Sequence, residues 1–229
     1  GTSGVTGSQG GAMDADSLLQ SGAGAIGVTA LAGPATIDVV VTTGGAVTIT
    51  SAGGAGSTTT LTGDITTGEG GSVTFDNDDT LVVSVPIALT ARGGLRQLGS
   101  GGVRLEADTT IVTTDDAVQF DQAIEGLAAG AQDLTLTLGA GSLTFLTSVG
   151  AATRLGVLTV VSALDVDAVA LRVSALVQGA GTGTTTFAGT VDTDAAGGIS
   201  LTGTAFHWYA AVTVAGGGSV TIANSGRLD

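Results

Sequence analysis

The chain has 229 residues, a formal net charge of −14, 43% hydrophobic residues, 40 glycines and no cysteine. Disulfides and thiolate metal sites are therefore excluded, and the acidity argues against phosphate-backbone partners and anionic lipid surfaces. A mean hydropathy of +0.50 is too high for a disordered polar chain, so the abundant Val, Ile and Thr, punctuated by Gly, Asp, Asn and Ser, describe short strands joined by tight turns.

In chain order, residues 1–24 (GTSGVTGSQGGAMDADSLLQSGAG) keep this composition but lose the alternation, and read as an irregular entry or linker. The start on Gly1, with no signal peptide before it, reads as a mature form or an excerpt. From residue 25 to 229 one phrase returns, a Gly-rich turn followed by apolar–Thr–apolar. It stands as GGAVTIT (44–50), GGSVTFD (70–76), GGVRLEA (101–107), AQDLTLTL (131–138), AGSLTFLT (140–147), LGVLTVV (155–161), GGISLTG (197–203) and GGSVTIA (217–223). The steps from Val47 through Val73, Val103 and Leu134 to Leu158 run from 24 to 31 residues, and Ile199 to Val220 is 21. Periods of this size mark solenoids.

Shorter alternating segments fill each period, among them TTTLTGDITT (58–67), TLVVSVPIALT (80–90), TTIVTT (109–114) and TTTFAGTVDT (184–193). Pro34 reads as a turn residue, and Pro86, set in an apolar run, marks a strand end or an outer position. The Ala/Leu-rich stretch 162–178 has no helix cap, and its Asp165 and Asp167 alternate with Leu164 and Val166. No apolar run of membrane-spanning length is free of charge: 156–177 carries Asp165, Asp167 and Arg172. The expected fold is a right-handed parallel β-helix over 25–229, with coils of about 20–31 residues whose apolar alternates stack inward. The competing architecture is a β-sandwich array, which needs aromatic anchors this chain scarcely has.

The stretches AVQFDQAIEGLAAGAQDLTLTLGAGSLTFLTSVGAATRLGVLTV (117–160) and GTGTTTFAGTVDTDAAGGISLTGTAF with AVTVAGGGSVTIANSG (181–226) resemble the repeat regions of giant bacterial surface proteins of the filamentous-haemagglutinin and autotransporter-adhesin type. The resemblance covers most of 40–226. It implies an exported β-helical stalk at the bacterial cell surface, acting in adhesion, with flanking repeats or stacked copies of itself as partners. It carries over no catalytic residue, and no enzymatic activity is expected. The irregular start and the HWYAAV phrase depart from the repeat pattern.

Two groups of residues are candidates for binding. His207, Trp208 and Tyr209 are the chain's single His, Trp and Tyr. In a strand, Phe206 and Trp208 face one way and His207 and Tyr209 the other. Packing is the plain reading; a glycan-stacking platform is the functional one, and a lone His without a placed nucleophile argues against catalysis. Asp76, Asn77, Asp78 and Asp79 (FDNDDT) offer oxygens suited to calcium, yet the EF-hand and nonapeptide calcium patterns are absent, and a solvated turn is the plain reading. No other cofactor is expected. The Arg92, Arg96 and Arg104 side chains read either as a contact patch or as neutralisers of nearby carboxylates. Threonine ladders such as TIT (48–50) and TLTL (135–138) raise an ice-binding alternative, against which the uneven coil length counts. A polysaccharide lyase, the remaining alternative, needs acidic ligands and a basic residue in one groove.

Overall fold

The computed structural model describes residues 5–9, 13–20, 24–30, 33–42, 44–52 and 57–229. These contain strands and no helix, and every strand pairing is parallel. The architecture is the expected β-solenoid, with three sheet faces. Face A runs from Val5–Gln9 through Ile26–Ala30, Val47–Ser51, Val73–Asn77, Leu95–Leu98 and Val118–Phe120, then through the starts of Leu143–Val149 and Val166–Gln178, to Thr184–Phe187 and Ala205–Trp208. Nine successive pairings join these strands, about nine turns, and at about 4.8 Å per step the rod is roughly 43 Å tall. Face B includes Thr58–Leu61, Thr80–Val83, Val103–Leu105, Ile124–Gly126, Val191–Thr193 and Val212–Val214. Face C includes Ile65–Thr66, Ile87–Thr90, Thr109–Val112, Leu134–Thr137, Leu155–Ser162, the end of Val166–Gln178, Ile199–Gly203 and Val220–Asn224.

The coils are shorter than the phrase spacing implies. Registers place 18 residues between Leu158 and Leu176 and 26 between Val47 and Val73. The steps of 30 and 31 arise because the apolar–Thr–apolar phrase occurs on all three faces. Val73 lies on face A, Val103 on face B and Leu134 on face C, so each such step is one coil plus one side of the triangle. The irregular entry is also corrected. Val5–Gln9 pairs with Ile26–Ala30, and Met13–Gln20 pairs with Ala35–Thr42, so part of 1–24 already belongs to the solenoid. Backbone pairing needs no large side chain, and the polar and small residues of VTGSQ and MDADSLLQ leave no plain alternation there. The 162–178 stretch is not helical: Val166–Gln178 is one strand that rounds the corners and pairs in turn with Thr184–Phe187, Val191–Thr193 and Ile199–Gly203. Pro86 sits at a strand end, just before Ile87–Thr90.

Alternation builds the core. In Val73–Asn77 the pattern is buried, half-buried, buried, exposed, buried, and register then stacks like on like. Ile26, Val47, Val73, Leu95, Val118, Leu143 and Val166 form one inward column, each at most 4% exposed. The neighbouring column collects the aromatics: Phe75, Phe120, Phe145, Phe187 and Trp208 share it. The Phe120 and Phe145 rings stack with centroids 5.7 Å apart. Gln97 interrupts the column fully buried, and its amide donates to Asn77 Oδ1 at 2.9 Å and to the carbonyls of Leu98 and Gly101. Its own carbonyl accepts from the N–H of Gln122, so its polar atoms stay paired, as burial demands.

Where the chain turns from face A to face B the backbone comes close to the coil below. Gly99 takes φ +82°, and a Cβ there would stand 2.2 Å from the Asn77 carbonyl oxygen. Only glycine meets both demands.

Candidate functional site

Strand polarity and the corners decide which side chains face out, and each sequence-predicted group can be placed accordingly. Phe206 is fully buried, and Trp208 packs against the core with its ring centroid 4.3 Å from that of Phe187. His207 and Tyr209 point the other way, their centroids 6.4 Å apart at 60°, and Tyr209 is 70% exposed. The three consecutive residues therefore do not make one platform. Trp208 belongs to the interior, whereas His207 and Tyr209 share the surface beside Asp229, whose Oδ2 lies 3.6 Å from His207 Nε2. Asp229 also forms a close ion pair with Arg227, and that hydrogen bond, with the attraction between the charges, raises the pKa of the guanidinium above its ordinary value.

The Asp76–Asp79 group is divided in the same way. Asp76 and Asp78 face outward, while Asn77 and Asp79 are buried at the corner between faces A and B. Asp79 Oδ1 accepts from the Ser51 hydroxyl at 2.5 Å and from Thr59 at 3.3 Å. Asn77 Nδ2 donates to the carbonyls of Asp79 and Gly101 at 2.7 and 3.0 Å. Asp78 Oδ1 accepts from the backbone N–H and the hydroxyl of Ser100. These oxygens do not converge, and among the described residues no three acidic, His or Cys side chains are grouped to hold a metal ion.

Other acidic residues have a role that sequence reading missed. Asp64 Oδ1 accepts the N–H of Ala88 at 2.7 Å, Asp108 that of Asp133 at 2.9 Å, and Asp133 that of Val157 at 2.6 Å. Asp115 does the same for Ala140 and Asp165 for Thr184, each at 2.7 Å. In each pair the partner lies one coil further on. These carboxylates cap backbone donors at the corners, as an N-cap carboxylate serves a helix. The signal was an Asp just before a strand, in GDI (63–65), ADT (107–109) and QDL (132–134).

The arginines are neutralisers. Arg92 pairs with Glu69 at 2.6 Å, Arg96 with Asp121 at 3.4 Å and Arg104 with Glu106 at 2.6 Å. Arg154 is the buried exception: its guanidinium reaches the carbonyls of Val173 and Asp192 and the carboxylates of Asp192 and Asp194, spanning three coils.

An open apolar hollow lies at the C-terminal end of the described residues. Residues 227–229 pair over Ala205–Trp208, with Phe206 N–H donating to Arg227 and Trp208 N–H to Asp229, both at 3.0 Å. Among the described residues nothing pairs over Val212–Val214 or Val220–Asn224. Val212 is 40% and Val220 48% exposed, although one coil below Val191 and Ile199 in the same columns are each 1% exposed. With Trp208, Ile222 and Leu228 they line an open apolar hollow. Inside the rod, by contrast, the enclosed space is an apolar void of about 20 Å³ between core side chains such as Phe75, Leu89 and Val103, with no side chain suited to chemistry. The end therefore offers adhesion of apolar surface and of unpaired strand edges.

Outward residues on face C form a register-true column, from Ala88 through Thr110, Thr135, Thr159, Val177 and Ser200 to Thr221. The uneven coil length thus leaves this column in register, because most of the extra residues sit in the corners. A second column on this face shifts register between Thr137 and Ser162. Comparison with known protein families, curated proteins and solved structures gives no match for this chain.

Proposed function

We propose that the chain is a structural stalk segment of an exported bacterial surface protein of the filamentous-haemagglutinin or autotransporter-adhesin kind, working outside the cell in attachment and assembly. The observation that carries this reading is the stack of about nine parallel coils whose side chains repeat in register. The apolar strand edges beside Trp208, Val212, Val220 and Ile222 are of a kind that a coil of the same type can cover. A further coil, from flanking repeats or from another copy, would also pair the free edges of Val212–Val214 and Val220–Asn224, which are otherwise a template for association. Mechanically, each coil is held to the next by ladder bonds on three faces and by the carboxylate caps at the corners. The net negative charge limits indiscriminate association of neighbouring rods.

The experiment is surface labelling of intact source cells with antibody raised against this chain, together with negative-stain microscopy of the purified chain. Labelled cells and rods longer than roughly 43 Å, the height of about nine coils at 4.8 Å each, are expected. Antigen found only inside the cells would sink the reading. A second reading, glycan contact, has one specific observation in its favour: the Tyr209 ring is largely exposed next to His207. A glycan array with wild type and Tyr209→Ala separates it from the first, since the stalk role does not need that ring.

A further inference from the structure

The three faces differ in charge. Face A carries Asp76, Arg96 and Asp167 outward, and face B carries Arg104, Glu125 and Arg172. Face C carries no charged residue along its outward columns from Ile65–Thr66 to Val220–Asn224; it presents Thr, Ser, Val and Ala. On a chain of net charge −14 such a face is not needed for solubility. Its acidic groups stand at the borders: Asp64, Asp108 and Asp133 cap the corner between faces B and C, and Asp115 and Asp165 cap the corner between faces C and A.

We propose that face C is a lateral pairing surface, and that its occupant is face C of a second copy of this chain. Charge selects that partner. Two copies meeting on face A or B would have to take charged side chains of both signs out of water, which costs more than their pairing returns unless the geometry is excellent, whereas two uncharged faces of mostly Thr and Val side chains can pack like the layers of a sandwich. A self-complementary patch gives a two-fold dimer, with its axis near the middle strands of the face, Leu134–Thr137 and Leu155–Ser162. The area sets the strength. Eight strands about 4.8 Å apart and about four residues wide cover about 450 Å² per copy, so about 900 Å² is buried in total, which falls in the weak, transient class. Pairing therefore strengthens with each added coil and becomes firm only in long or multivalent rods. The border aspartates of the two copies repel, so added salt favours the dimer as the screening length falls from about 30 Å at 0.01 M to about 3 Å at 1 M.

The chain has no cysteine, which makes the test specific. Thr159→Cys and Thr137→Cys, near the expected axis, are compared with Thr144→Cys, which faces outward on face A, under mild oxidation of the full chain. The face C variants are expected to form disulfide-linked dimers at least tenfold faster than the control. Sedimentation of the wild type is expected to show a concentration-dependent dimer that strengthens with salt, and Thr135→Asp with Thr159→Asp to shift its dissociation constant at least tenfold upward with an unchanged circular dichroism spectrum. Equal cross-linking rates for all three positions, or a wild type that stays monomeric at high salt and high concentration, overturns the proposal. The cysteine arm introduces no charge, so it stands even where the double aspartate variant fails to fold. Stacking through the ends would not bring Thr159 of two copies together, so this outcome is independent of the stalk reading.

Discussion

Replacing Phe145 by alanine tests the packing logic of the rod most directly. The ring is 2% exposed and lies in the aromatic column against Phe120. A buried Phe→Ala change costs about 3–5 kcal/mol when the site cannot collapse. Here collapse is opposed on both sides, because the coil spacing is fixed by ladder bonds from Val118–Phe120 to Leu143–Val149 and onward to Val166–Gln178. The upper half of that range is therefore expected, including the roughly 0.5–1.5 kcal/mol that an aromatic pair adds. Phe145→Leu, which keeps most of the volume, should lose roughly 1–1.5 kcal/mol, in the range of volume-conserving swaps. Urea denaturation followed by circular dichroism measures the loss. Hydrogen exchange locates it: with coupling between neighbouring coils only, amides in 118–120 and 166–168 should exchange faster while those in 205–208 stay protected. A loss below about 1 kcal/mol, well under the cavity range, or acceleration spread evenly over every coil, would refute the reasoning.

Asp133→Ala should cost about 1–2 kcal/mol, because it strands the Val157 N–H that its carboxylate accepts, and the loss of an N-cap residue falls in this range; thermal denaturation checks it, and Asp133→Asn should recover part of the loss. Gly99→Ala should cost at least about 2 kcal/mol, since a left-handed backbone and a contact with the Asn77 carbonyl combine, whereas Gly27→Ala, where a Cβ meets nothing within 4 Å, should be nearly neutral by the same melting assay. Calcium at millimolar concentration should leave the melting temperature unchanged, because Asp76 and Asp78 face away from Asn77 and Asp79; calorimetric binding with a stabilised melt would contradict that geometry.

Much of the fold was legible because its determinants are local. In VTF (73–75) and LTF (143–145) the period of two alone says which residues alternate in facing, and the Gly-rich turns GGS (70–72) and AGS (140–142) mark the ends. Coil length was legible only in part: the expected 20–31 residues cover most register steps, which run from 18 to 26, but three similar strands per turn stretched the upper limit; the recurring Phe of VTF, VQF (118–120), LTF and TTF (185–187) was the mark of face A. The alternation of Phe206–Tyr209 followed from strand geometry. Which side of that strand met the core did not, because it depends on Phe187 one coil below. The aspartate caps were hidden for the same reason: Asp133 finds its donor 24 residues away, and no local pattern names that donor.

The placing of most length variation in the corners has a wider consequence. A turn can lose or gain several residues, as between the 18 from Leu158 to Leu176 and the 26 from Val47 to Val73, while the strands beside it stay in step. Growth of the chain at its edges is thus uncoupled from the crystalline order of its sides. Such a scaffold can take on new outgrowths at any level, one at a time, and remain the same straight support.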